Sequence, residues 1–147
     1  MGAKVGIDAK IYVAATGQSG TFNEVKNARN VTLNLGRSEA DVSSRGGGGW
    51  KTVAAGLKEV SIEFEIIDDP SDTTFATIRD AWLNGSKIGL QVLDGDLTEN
   101  GSQGLKADCV ITGFNRDEPL EDALTYKVTA KPTHSETPPS WVTITSP

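Results

Sequence analysis

The segment Lys58 to Ile67 alternates without a break. Val60, Ile62, Phe64 and Ile66 fall on one parity, and Glu59, Ser61, Glu63 and Glu65 on the other. A period of two belongs to a β-strand and not to a helix, so one face of this segment meets a core and the other does not. Burying four such apolar side chains contributes roughly 1.5–3 kcal/mol each before entropy is counted. The opposite face is a row of carboxylates about 6–7 Å apart, two residues of strand rise. Such a row is either a solvated face or the lining of something, and Glu59, Glu63 and Glu65 are the residues that would do the lining.

Weaker alternation recurs along the chain. Lys4 to Val13 places Val5, Ile7, Ala9, Ile11 and Val13 on one side, and Ala28 to Gly36 does the same with Val31, Leu33 and Leu35. Lys87 to Leu93 alternates Ile88, Leu90 and Val92, and Leu120 to Lys131 alternates Leu120, Leu124, Tyr126, Val128 and Ala130. Leu105 to Phe114 is apolar on both parities, as expected of a central strand covered on both faces.

Asp69 to Gly85 has the period of a helix. Asp69 is the expected N-cap, Pro70 suits the first helical position, and Asp72 favours the positive end of the dipole. Phe75, Ile78 and Trp82 form one stripe, expected to face the core, and Asn84-Gly85 is a fitting stop.

Between the second strand and Lys58 lies Ser38 to Gly56, with four consecutive glycines running into Trp50. A structureless loop of this length is uncommon inside a compact domain and is usually functional or disordered. Arg45, Gly46, Gly47, Gly48, Gly49, Trp50 and Lys51 combine flexibility, charge and a large aromatic, and are expected to form an arm reaching another subunit. The expected fold is mainly β: an antiparallel sandwich or barrel with one flanking helix (about 70–84) and a long loop (about 38–56). Residues 1–133 form the domain and 134–147 a Pro/Ser/Thr-rich tail, either disordered or docked on a neighbour through Trp141 to Ile144.

The 147 residues suffice for one core without covalent staples. A net charge of −6 argues against a basic surface that wraps nucleic acid, but not against one that nucleic acid slides past. The single cysteine, Cys109, sits in an apolar run and reads as a buried structural thiol. The N-terminus has no apolar leader and no apolar run approaches the roughly 18 residues of a membrane span, so neither secretion nor membrane insertion is expected.

Chemical motifs fail on their spacing. Gly46 to Thr52 faintly resembles a phosphate-binding loop, but Trp50 stands where glycine must precede the lysine. Asp94, Asp96 and Glu99 supply only fragments of a calcium loop and suit an ordinary turn. The one histidine, His134, lies in the tail, away from any nucleophile-like context, and Glu63 with Glu65 lacks the surroundings of a glycosidase pair. No enzyme, cofactor or metal is expected.

In order and in motif, Lys4 to Thr133 resembles the major tail tube protein of long-tailed bacteriophages. The resemblance rests on the glycine loop running into Trp50 and Gly56-Leu57, the strand Val60 to Ile66, and the helix Phe75 to Trp82 closing at Gly85. It continues through Ile88 to Gly95, Ala107 to Phe114 and Leu120 to Pro132. It implies a β-sandwich whose subunits form hexameric rings, stacked into a hollow tube through which DNA passes without specific binding. Related folds build contractile tails and type VI secretion tubes. The implied partners are further copies of the chain and the tail tip or initiator, terminator and tape-measure proteins. The implied location is the virion tail, assembled in the host bacterial cytoplasm. In such tubes the inner wall is a β-barrel shared by all subunits, and the long loop crosses to a neighbour. Ser135 to Pro147 matches no further domain of the kind some relatives carry. A reading from another class is a monomeric β-sandwich that binds carbohydrate or protein on Trp50, Trp82 or Trp141.

Overall fold

The computed structural model describes residues 10–18, 20–69, 71–118, 120 and 124–145. Val5, Ile7 and Ala9 of the first expected strand, Pro70 at the expected helix start, and residues 121–123 of the strand expected over Leu120 to Lys131 lie outside them. Among the described residues, eight strands and one α-helix follow in chain order: β1 (Lys10–Ala14), β2 (Asn23–Glu24), β3 (Ala28–Asp41), β4 (Val53–Ile67), α1 (Thr73–Asn84), β5 (Ile88–Leu93), β6 (Gln103–Asp117), β7 (Thr125–Pro132) and β8 (Ser140–Thr143). The strands run in the order β2-β1-β5-β6-β7-β4-β3, with β8 beside β6, and every pairing is antiparallel. Among the described residues the sheet does not close into a barrel.

The spine of this arrangement is β6. One of its edges pairs β5 along Gly104–Cys109, and the other pairs β8 along Gln103–Lys106 and then β7 along Cys109–Asp117. The β6–β7 register shifts between Ile111 and Gly113, which leaves Thr112 as the extra residue of a bulge. Bulges bend a strand and increase its twist. The first half of β6 therefore belongs to one half of the sheet and the second half to the other. A single core takes Ile11 and Val13 from β1, Ile62, Phe64 and Ile66 from β4, Ile88, Leu90 and Val92 from β5, and Tyr126, Val128 and Ala130 from β7.

The alternation in Lys58 to Ile67 becomes burial as expected. Ile62, Phe64 and Ile66 are fully buried and Val60 half-buried, whereas Glu59 and Glu63 face solvent. All six residues of β5 are buried, because chain crosses both of its faces. A Cβ on Gly89 would stand 2.6 Å from the backbone of Gly17 and Gln18, so only glycine lets that turn cross the strand.

Three boundaries differ from the sequence reading. The helix starts at Thr73, and its cap is Asp72, whose carboxylate accepts from Thr74 N at 3.0 Å. Asp69 is engaged one turn earlier, accepting from the amide and hydroxyl of Ser71. Gly85 closes the helix at φ 64, as its position suggests. Leu120 is 98% exposed and precedes the last long strand, which begins only at Thr125. The tail docks on its own chain: β8 extends the sheet, and Trp141 donates its indole N–H to Gln103 Oε1 at 2.9 Å.

Candidate assembly surfaces

The first surface is the ribbon made by β3 and β4, which pair from Ala28 opposite Ile66 out to Asp41 opposite Val53. Near the domain this hairpin carries core residues. Beyond Leu33 and Val60 every residue of both strands is exposed. The exposed part of β3, Asn34 to Asp41, spans on the order of 20 Å. The segment expected as loop, 38–56, is thus strand on both flanks, and the loop proper is 42–52. Periodicity hid this extension because the register slips between Arg37 and Glu39, with one extra residue on β4. Gly56 makes the slip feasible, since a Cβ there would stand 3.1 Å from the carbonyl oxygen of Ser38.

The tip is built from its own polar groups. Val42 N donates to Thr52 O, Thr52 N to Ser43 Oγ, and Ser43 N to Asp41 Oδ1. Arg45–Gly47 form a single 3-10 turn, and Gly48 and Gly49 follow at φ 68 and 87, where only glycine sits without strain. Trp50 is 76% exposed, and Leu57 on the shaft 82%. Leu35, Val42 and Val53 are also about half exposed. A two-stranded ribbon is marginal on its own, and one that holds this much apolar surface in water is suited to burial against another molecule.

The second surface is the face of the sheet opposite the core. On β4 it carries Glu59, Ser61, Glu63 and Glu65, so the carboxylate row lies on one face as its spacing requires. Its neighbours are not acidic. Glu63 accepts from Asn34 Nδ2 at 3.1 Å. Glu65 accepts from Asn30 Nδ2 at 2.8 Å and pairs with Arg29 at 3.4 Å. Across β7, Thr129 stands opposite Glu63 and Lys127 opposite Glu65. Lys131 shares the parity of Lys127. The row is therefore interleaved with cations, which strand periodicity within one segment had no means of showing.

The third surface is a pair of strand edges. Among the described residues, the outer edge of β3 has no partner strand, nor does the edge of β6 beyond Cys109 on its β5 side. These edges bound the four-strand run β6-β7-β4-β3 at opposite ends. An unpaired edge is a template for another strand.

The remaining candidates are structural. Phe75 and Ile78 are buried, while Trp82 is 46% exposed and lies on the ring of Phe114 with centroids 6.2 Å apart. Phe75, Phe114 and Tyr126 complete an aromatic cluster that seats α1 against β6 and β7. Cys109 is fully buried, and burial together with the charge of Asp108 pushes its thiol up to about 12, so it is held as the unreactive protonated form. His134 is exposed in the tail. Asp94 and Asp96 serve as turn acceptors, taking the amides of Gln103 and Thr98. Gly46 to Thr52 forms the hairpin tip and leads into a strand, not into the helix that a phosphate loop requires.

Sequence reasoning missed one polar centre. Asp108, only 4% exposed, accepts from Gln18 N at 2.8 Å, Gln18 Nε2 at 3.1 Å and Ser135 Oγ at 2.5 Å. Gln18 Nε2 also reaches Thr137 O at 2.7 Å. Burial opposes the charge of Asp108, but the bonds from Ser135 and Gln18 outweigh it and hold the carboxyl below its ordinary range. An aspartate inside an apolar strand was the available signal. Among the described residues, no helix is long and apolar enough to cross a membrane.

Comparison with known proteins agrees with this architecture. No curated protein matches the chain in sequence. Among solved structures, the tail of an empty gene transfer agent (GTA) particle, refined with C6 helical symmetry, superposes with a TM-score of 0.75 at 21% identity over 95% of this chain and 99% of that one. The SPP1 tail tube gives 0.72 at 17% identity, covering 88% and 75% of the two chains. A protein of the sheath–tube complex of an extracellular contractile injection system gives 0.58 at 9%, covering 97% and 93%. These likenesses are of fold. The family described as phage tail tube protein matches residues 4–133, which include every strand from β1 to β7 and the helix, and the chain belongs to that family.

Proposed function

We propose that this chain is a structural virion protein that polymerises with copies of itself, as stacked six-membered rings, into a hollow tail tube for the passage of DNA. The observation that carries the proposal is the β3–β4 ribbon, projecting from the domain with Trp50 and Leu57 uncovered. Burial of these side chains against a neighbouring subunit supplies the reason for their exposure. The two free edges support closure of the ring. A head-to-tail contact between β3 of one subunit and β6 of the next either closes or extends, and closure removes both edges at once. On this arrangement the outer face of β4, with Glu59, Glu63 and Glu65, lines the lumen, and the segment Arg45 to Lys51 with its glycines and Trp50 is the assembly arm. The role is not enzymatic. Tip or initiator, terminator and tape-measure proteins are the further partners, and assembly takes place in the host bacterial cytoplasm.

Negative-stain microscopy of concentrated protein tests this reading: rings or tubes are expected. Small featureless particles under all conditions, including in the presence of a tail-tip initiator, would overturn it. Deleting Gly46 to Ala55 is expected to leave the domain folded and to abolish polymerisation; tubes formed by the deleted chain would remove the arm assignment. A monomeric binding module using a tryptophan platform is not favoured, since Trp50, Trp82 and Trp141 sit on the hairpin tip, on α1 and on β8.

A further inference from the structure

The sheet face that presents the β4 carboxylates also presents cations from the neighbouring strands, and phosphate-backbone affinity is built from cations. Arg29 on β3 and Lys127 and Lys131 on β7 share this face. A stripe of that kind, left unopposed, is a duplex-binding surface, which a wall that DNA must slide past has to avoid. We infer that Glu65 is the residue that prevents it, by pairing its carboxylate with Arg29 and standing opposite Lys127 in the β4–β7 register. The inference rests on the lumen reading given above.

The geometry around Glu65 is built for this. On one side it pairs with Arg29 Nε at 3.4 Å and accepts from Asn30 Nδ2 at 2.8 Å. On the other it stands directly opposite Lys127, where paired side chains start about 4.5–5.5 Å apart at Cβ. The sheet is deformed to make the first set of contacts. The β3–β4 register shifts between Arg29 and Thr32, and Asn30 takes up the extra residue at φ 53, a left-handed conformation uncommon outside glycine. The bulge lets two successive residues, Arg29 and Asn30, reach one carboxylate. The side chain of Glu65 is also the less exposed partner, 23% against 53% for Arg29. The anion is therefore fixed in the sheet, and the cation head it neutralises is the group a passing phosphate would meet. Exposed ion pairs contribute little to stability, so a merely structural role predicts almost no change in DNA retention when this one is removed.

The test is retention of a short fluorescent DNA duplex by the soluble full-length subunit and by assembled tubes at low salt. Glu65→Gln keeps the size of the side chain and its bond to Asn30 while removing the charge. Glu136→Gln, in the exposed tail, removes the same charge elsewhere. Wild type and Glu136→Gln are expected to retain duplex weakly and equally. Glu65→Gln is expected to bind about tenfold tighter or more at low salt, with the excess vanishing as salt rises. Adding Arg29→Gln and Lys127→Gln to Glu65→Gln is expected to return binding to the wild-type level. Equal binding by Glu65→Gln and Glu136→Gln overturns the inference, as does an excess that survives loss of the two cations. The soluble subunit presents the same face, so the duplex measurement decides the role of Glu65 whether or not tubes form; absence of tubes counts against the assembly reading alone.

Discussion

Ser135 donates its hydroxyl to Asp108 Oδ2 at 2.5 Å, and this bond ties the start of the C-terminal segment to the middle of β6. Asp108 also holds the turn at Gln18, so one carboxylate joins the turn after β1 and the segment after β7 to the central strand. Thr133 N adds a bond to the Asp108 carbonyl oxygen at 3.0 Å. The tail is thereby delivered to the edge of β6, where β8 forms.

Asp108→Ala leaves the Gln18 amide without its acceptor and removes one of the two acceptors of Gln18 Nε2 in a buried site, so it is expected to cost about 1–3 kcal/mol. The pH dependence follows from the sign of the shift. The folded carboxyl titrates below its ordinary value, so its contribution is present above the unfolded pKa of about 3.9 and is lost as pH falls through the lower folded value. In thermal melts from about pH 6 down to about pH 3, the gap between wild type and Asp108→Asn should therefore narrow toward the acid end. Asp41, Asp69 and Asp96 are shifted in the same direction by bonds from Ser43, Ser71 and Thr98, but they are unchanged in the variant and cancel in the comparison. A gap between the two proteins that stays constant across this range would refute the assignment.

Cys109 should resist alkylation in the native protein at neutral pH, because its thiol is both buried and protonated. Full reaction is expected only in denaturant, with a rate limited by unfolding. Mass spectrometry after a timed pulse of iodoacetamide reads this directly, and rapid native labelling would contradict the placement of the thiol.

The helix cap separates Asp72 from Asp69. Asp72→Ala removes the acceptor of Thr74 N and is expected to lower stability by about 1 kcal/mol. Asp69→Ala removes the acceptor of Ser71 in a surface turn ahead of the helix and is expected to cost less. Denaturant titrations of the two variants provide the comparison, and equal losses would mean that the helix begins earlier than Thr73.

Trp50→Ala and Ile62→Ala should divide assembly from stability. Ile62 is fully buried, and its truncation is expected to cost about 2–5 kcal/mol. Trp50 stands exposed at the hairpin tip, so its loss should leave the melting temperature of the subunit nearly unchanged while reducing tube formation. Sedimentation of polymer alongside a melt of the soluble subunit measures both, and an unaltered tube yield for Trp50→Ala would exclude it as an anchor.

Much of the fold is legible in the chain itself. The period of two in Lys58 to Ile67 is local stereochemistry, and it reappears as Ile62, Phe64 and Ile66 in the core with Glu63 on the far side. Phe75 and Ile78, three residues apart, meet the core for the same reason, and Gly85 stops the helix because it alone takes the left-handed cap without strain. What the chain could not show was set by contacts between distant segments. The slip near Gly56 breaks the alternation, so two flanks of strand read as one glycine loop; only pairing with Ser38 and Glu39 reveals a ribbon. The acidic row gains its cations from β3 and β7, strands far from it in sequence. The tail becomes β8 because Asp108, a long-range acceptor, holds Ser135 beside an edge that is open for it. Alternation, caps and stops come from forces acting within a few residues, and the sequence by itself determined them. Register, charge pairing and the docking of the tail depend on which strands lie side by side, and only the tertiary structure decided those.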